Sequence, residues 1–192
     1  MIIQAGAPGE TNRIITEEEA SAISAVPHGL ADAEFMQGMI HHHGQALVMT
    51  AYAAENSGGD QIPLLAERME IGQQSEIDLM AEWLQSRSFA VPSTDPADHV
   101  EHSDEPLMPG MLTDAQLEEL RVATGPEFDR LFLRYMIQHH VGALQMVDEL
   151  VAANGGQEVE SGRIAQDIYA DQEIEILRMQ ALLDEMPTVS DP

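Results

Sequence analysis

Two short stretches of this chain place histidine beside methionine in the same way. Met39 stands three and four positions before His42 and His43, and Met136 stands three and four positions before His139 and His140. On a helix, residues at i, i+3 and i+4 lie on one flank, so each Met and its two His can converge on a single ion. Imidazole with thioether is a copper-ligand set: the soft sulfur favours Cu(I), and imidazole accepts Cu(I) and Cu(II). Ala46 and Ala143 leave room beside the rings. A looser set, His99, His102, Met108 and Met111, lies among Asp95, Asp98, Glu101, Asp104 and Glu105. It mixes hard and soft ligands on a linker. It could bind metal weakly or fold over a site elsewhere, and a plain linker is an equally good reading.

The two histidine stretches belong to a longer repeat. Residues 32–49 and 129–146 align without a gap as D-x-x-F-x-x-x-M-I-x-H-H-x-x-A-L-x-M. The segments that follow also match, as A-x(6)-Q-x-x-E-I-x-x-M, pairing Ala66 with Ala165, Gln73 with Gln172, Glu76 with Glu175, Ile77 with Ile176 and Met80 with Met179. At about 100° per residue, His42 and His43 straddle an inward stripe that contains Phe35, Met39, Ala46 and Met49. His41 points away from that stripe, and its counterpart is Gln138. Gln73 and Glu76 share the apolar face of the second helix, as do Gln172 and Glu175. A carboxylate on such a face needs a partner; a facing imidazole or a metal would serve.

These residues must be positioned by helices. The apolar spacing predicts a helix from about Leu30 to Glu55, stopped by Asn56-Ser57-Gly58-Gly59, and a second from Asp60, as cap, to about Ser86. Thr113 caps a short helix through Leu120. Long helices follow over Pro126 to Ala153 and Val159 to Glu185. No segment shows convincing strand alternation, so the fold class is all-α. The duplicated αα-hairpin predicts a four-helix bundle. The organisation is an N-terminal arm and short helix from Thr16 (1–29), a first hairpin (30–86), a Pro-rich acidic linker with a short helix (87–125) and a second hairpin (126–186).

Composition narrows the chemistry. The 192 residues carry 34 Asp or Glu against 8 basic residues, all Arg, for a formal charge of −26. That excess argues against nucleic acid, where binding comes from neutralising phosphates with cations, and against an anionic membrane surface. It does raise the local cation concentration. Cysteine is absent, which removes thiolate metal sites, disulfides and cysteine nucleophiles. No apolar run is long enough to span a bilayer. Met1-Ile2-Ile3-Gln4 opens no basic n-region or apolar h-region, so no signal peptide is expected in this chain.

Three functions compete. The first is a copper-binding protein that uses Met39, His42, His43, Met136, His139 and His140, with Glu76, Glu175, Gln73 and Gln172 orienting the imidazoles. The second is a helical module whose buried His–Glu network only holds the hairpins in register. The third is a di-metal enzyme of the Glu-x-x-His type. The positions three before each His are Met39, Ile40, Met136 and Ile137, so the required Glu is missing and no enzyme is expected. Met49, Met69, Met80, Met146 and Met179 are read as core filling.

The doubled M-I-x-H-H-x-x-A-x-x-M helix, the Q-x-x-E-I-x-x-M helix and the intervening Met108-Pro109-Gly110-Met111 resemble the domain of unknown function 305 family over roughly residues 30–185. The resemblance implies a ferritin-like four-helix fold. It implies copper binding as in exported proteins of the CopM type, linked to copper resistance. It also implies an extracytoplasmic location. The partner expected is the metal ion itself, with a metal-transfer partner protein left open beside simple buffering.

Overall fold

Four long helices carry the repeat where the apolar spacing requires them. The structure, a computed structural model, describes residues 2–4, 13–15, 29–94 and 107–187. Strands β1 (Ile2–Gln4) and β2 (Arg13–Ile15) pair antiparallel with Ile3 opposite Ile14. This small ribbon was not expected from the sequence, because three residues per strand are too few to show alternation. The helix expected from Thr16 lies outside the described residues.

Helix α1 (Leu30–Ala51) ends one turn earlier than its spacing suggests, and a single turn, α2 (Ala53–Asn56), completes the segment. Helix α3 (Gln61–Ser86) follows. Asp60 takes its cap position, but its side chain accepts no capping bond. After the linker come α4 (Asp114–Val122), α5 (Gly125–Ala152) and α6 (Val159–Glu185). Thr113 and Gln116 form a reciprocal capping box on α4. Helix α1 packs on α3, α5 on α6, α1 on α5 and α3 on α6, closing a four-helix bundle. Among the described residues, no helix is long and apolar enough to cross a membrane.

The core is divided in two. One apolar cluster holds Phe35, Met39, Ile77, Met80, Ala143, Met146 and Ala165. The other holds their repeat counterparts Phe132, Met136, Ile176, Met179, Ala46, Met49 and Ala66. Each residue of a repeat pair therefore sits in the opposite cluster from its partner, which is what a twofold axis across the bundle produces. Between the clusters the buried polar residues His42, His43, Gln73, His139, His140 and Gln172 form the midplane.

The hairpins are locked to each other by the repeated aspartates. Asp32 accepts from the Gly156 amide of the other hairpin's loop at 2.6 Å. Asp129 accepts from the Ser57 hydroxyl at 2.6 Å and the Gly58 amide at 3.2 Å. Each aspartate thus satisfies the turn of the opposite hairpin, where backbone donors have no helical partner. The other end of α3 is tied to α6 by Trp83, whose indole N–H donates to Glu158 at 2.9 Å, with Arg87 stacked over its ring.

The last part of the linker is a strap in the α1–α5 groove. Met108-Pro109-Gly110-Met111 forms a turn closed by the Met111 amide on the Met108 carbonyl at 3.2 Å, with Gly110 at φ +75°. Pro at the second position and a positive φ at the third make this a type II turn. Gln45 zips the strap further on, donating to Leu112 O at 3.0 Å and accepting from its amide at 2.7 Å. The turn can approach α5 only because Gly142 has no side chain: a Cβ there would overlap the Pro109 carbonyl. Gly142→Ala should therefore destabilise the protein by about 1–3 kcal/mol through overpacking and expose the strap. Urea unfolding with limited proteolysis between residues 107 and 113 reads both, and wild-type stability with an intact strap would show that the contact carries no weight.

Candidate metal centre

The four repeated histidines are brought together at the midplane. His42, His43 and His140 have no exposed surface, and His139 has 1%. The His42 and His139 rings meet across the α1–α5 contact with centroids 3.8 Å apart and planes tilted by 37°. His43 and His140 flank them, with centroids 6.5 Å from His42 and 6.3 Å from His139 respectively. His41 stands outside this layer and is half-buried.

Their hydrogen bonds assign the tautomers. The Nε2 of His43 meets Glu76 at 2.6 Å, and the Nε2 of His140 meets Glu175 at 2.7 Å. The Nε2 of His42 meets the Pro109 carbonyl at 2.9 Å. A carbonyl only accepts, so Nε2 of His42 carries its proton and Nδ1 keeps a lone pair. A carboxylate imposes the same tautomer on His43 and His140. In all three rings Nδ1 is buried without a hydrogen-bond partner. In His139 both ring nitrogens are. Gln73 and Gln172 also reach the midplane, yet they do not bond the imidazoles. Both polar atoms of Gln73 and the Oε1 of Gln172 are unpartnered.

Buried polar atoms in folded proteins nearly always find partners, so this concentration of orphans calls for an explanation. Each of the four rings can offer at most one nitrogen lone pair, a set that suits a soft or borderline cation, and the Nε2–H bonds to carboxylate and carbonyl are the contacts that orient metal-ligating histidines. Met39 and Met136 are fully buried one turn before the His pairs, in opposite apolar clusters, so each thioether lies on a different side of the layer. As the side chains stand, no three His, Asp or Glu among the described residues converge to hold an ion. Coordination would require the facing rings to turn.

Of the remaining predicted ligands, Met108 and Met111 are not part of the layer. Met108 is half-buried against the first apolar cluster, and Met111 is half-buried in the strap. What the strap gives the site is its backbone: the Pro109 carbonyl, not a thioether, reaches His42. Sequence reasoning missed this role, although Pro-Gly is a strong turn signal and Gly142 inside a helix marks a close approach. His99 and His102 lie outside the described residues.

The two central rings, His42 and His139, stay neutral. Burial, then the adjoining His43 imidazole, pushes His42 down to about 3, although its bond to Pro109 pulls the other way. Burial, then His42, holds His139 well below the usual imidazole value of 6.5. An imidazole with a lowered folded pKa binds fewer protons folded than unfolded between the two values. Its stabilising contribution is complete above about pH 6.5 and is lost as the pH falls, at up to about 1.4 kcal/mol per pH unit for each group. Urea unfolding of the metal-free protein between pH 7.5 and 4.5 should show this loss, and His139→Leu should show less of it. Parallel curves for the two proteins would contradict the assignment.

The sequence profile of the domain of unknown function (DUF305) family matches residues 32–183. Among solved structures, a DUF305 protein of Streptomyces coelicolor, named as a candidate secreted protein, is similar at 28% identity and a TM-score of 0.69, over 81% of this chain and 91% of that one. A DUF305 fragment from Deinococcus radiodurans is similar at 28% identity and a TM-score of 0.70, over 83% and 99%. CopM in its Cu(II)-bound form is similar at 29% identity and a TM-score of 0.65, over 80% and 95%. CopM in Cu(I)-bound and Ag-bound forms matches as well. No curated protein sequence matches the chain.

Proposed function

This chain belongs to the DUF305 family, and on that premise we propose that it is a copper-binding protein that takes up Cu(I) or Cu(II), and Ag(I) in its place. The observation that carries the reading is the buried layer of four imidazoles with unpartnered nitrogens. The similarity to CopM, whose structures hold copper and silver, supports it. The ligands are His42, His43, His139 and His140, joined by the thioethers of Met39 and Met136. Glu76 and Glu175 orient two of the rings and the strap orients a third. Neutral His42, with its proton on Nε2, presents its Nδ1 lone pair directly, so capture there needs no proton to leave. The 34 carboxylates draw cations towards the surface.

The protein is a binder rather than an enzyme. The Glu that di-metal oxidases place three before each ligating His is absent, with Met39, Ile40, Met136 and Ile137 in those positions. Buffering, resistance or delivery of copper to a partner protein outside the cytoplasm is the role we propose. The similarity to the Streptomyces coelicolor protein supports the location.

The alternative is a register-setting network, favoured by the His43–Glu76 and His140–Glu175 hydrogen bonds. The two readings differ at His139, whose ring nitrogens make no hydrogen bond of normal geometry, although the His42 backbone lies close enough to act on the ring. An orphaned buried polar atom costs about 1–3 kcal/mol. If the layer exists for metal, His139→Leu should leave the metal-free protein as stable or more so, while weakening Ag(I) and Cu(I) uptake in anaerobic native mass spectrometry. A variant with all four His changed to Ala, folded by circular dichroism, should take up neither ion tightly. Loss of stability in His139→Leu with no tight Ag(I) uptake by the wild type would favour the network instead.

A further inference from the structure

On the far side of the bundle from the strap, α3 and α6 part around an open cleft of about 250 Å³. Its lining includes Gln73, Glu76, Asp171, Gln172 and Glu175, with Arg68 and Arg178 also present. Glu76 and Glu175 each use Oε2 on an imidazole, which leaves Oε1 for the cleft. Their side chains are only 12% and 18% exposed. Beneath them, Gln73 and Gln172 are 3% and 1% exposed, and the side-chain carbonyl of each lacks a hydrogen-bond donor.

We propose that this cleft is a second cation site, for a hydrated divalent ion of the Mg²⁺ or Mn²⁺ class, held by the carboxylates of Asp171, Glu76 and Glu175 and the side-chain carbonyls of Gln73 and Gln172. Every donor in the set is oxygen, which selects hard cations and disfavours Cu(I). Because the carboxylates do not converge on a bare ion, the ion keeps part of its water shell, as Mg²⁺ commonly does on one or two carboxylates. The orphaned Gln carbonyls, closed to solvent in the ion-free protein, turn toward these waters and accept from them. Three carboxylates face two guanidiniums, Arg68 and Arg178, in the cleft, and the Asp171 carboxyl is raised by burial and then by Glu76 and Glu175, with Arg178 lowering it.

The site shares Glu76 and Glu175 with the imidazole layer through their other oxygens, but Asp171 is exposed outside that layer, so substituting it separates the two sites. It is also asymmetric within the repeat, since the counterpart of Asp171 is Gly72. Gly72 lines the same cleft, and a Cβ there would meet nothing within 4 Å. That makes a gain-of-binding test available beside the loss.

Mn²⁺ would be titrated at 0.1 M salt, which screens diffuse surface binding, and free ion read from its electron paramagnetic resonance signal. The wild type should saturate with one ion. Asp171→Asn should bind about tenfold more weakly, and Gly72→Asp should bind several-fold more tightly. Circular dichroism would confirm that both variants fold. Unsaturable binding by the wild type, or equal binding by wild type and Asp171→Asn, would overturn the proposal. Ag(I) uptake would be read on the same samples. Loss of that uptake with Mn²⁺ binding retained would count against the copper reading and leave the cleft site standing.

Discussion

Burial penalises a charged imidazole, and a second charge beside it would add repulsion, so His42 and His139 at the centre of the layer are held neutral. The rest of the fold follows from keeping His42, His43, His139 and His140 dry and oriented. Two apolar clusters exclude water from above and below. Glu76, Glu175 and the Pro109 carbonyl take three Nε2–H groups, which fixes the tautomer and leaves each Nδ1 as a lone pair. The core is thus polar at its centre, at a cost that apolar side chains would avoid. Such an arrangement makes sense where the orphaned atoms are meant for a ligand.

The duplication explains how the layer is built at low structural cost. A twofold axis through the His42–His139 contact carries each apolar residue into the opposite cluster, so one hairpin sequence fills both halves of the core. The aspartates show the same economy. Asp32 and Asp129 begin equivalent helices, and each reaches across to satisfy the amides in the other hairpin's turn. These bonds cross between hairpins, so they fix how the two halves meet and, with that, how the rings face each other.

Much of this was legible in the sequence. The helix positions and the inward face of His42, His43, His139 and His140 followed from the 3.6-residue period. The repeat singled out Gln73, Glu76, Gln172 and Glu175, and Glu76 and Glu175 do lie against histidines. What sequence could not supply was direction across the bundle. Asp32 and Asp129 were visible as a repeated pair, but nothing local says that their partners lie in the opposite loops. Met108 and Met111 drew attention for their sulfur, whereas the contribution seen comes from the backbone between them. Gly142 reads as a helix weakness until the strap is known to lie against it. The β1–β2 ribbon is too short to leave a periodic trace.

The strap also settles why two identical motifs end in different states. A duplicated hairpin has one linker, and a single crossover can pass over only one side of the twofold axis. His42 therefore receives the Pro109 carbonyl, while its counterpart His139 makes no hydrogen bond of normal geometry at either nitrogen. The groove itself records the difference. Gln45 holds the strap on α1, and its repeat counterpart is Gly142, which lets the turn press against α5. The same asymmetry recurs across the bundle, where Asp171 faces Gly72. A symmetric sequence would give two equivalent half-sites. The chain connection thus holds one ring, His42, from outside its own helix and leaves its buried counterpart, His139, without an equivalent hydrogen bond.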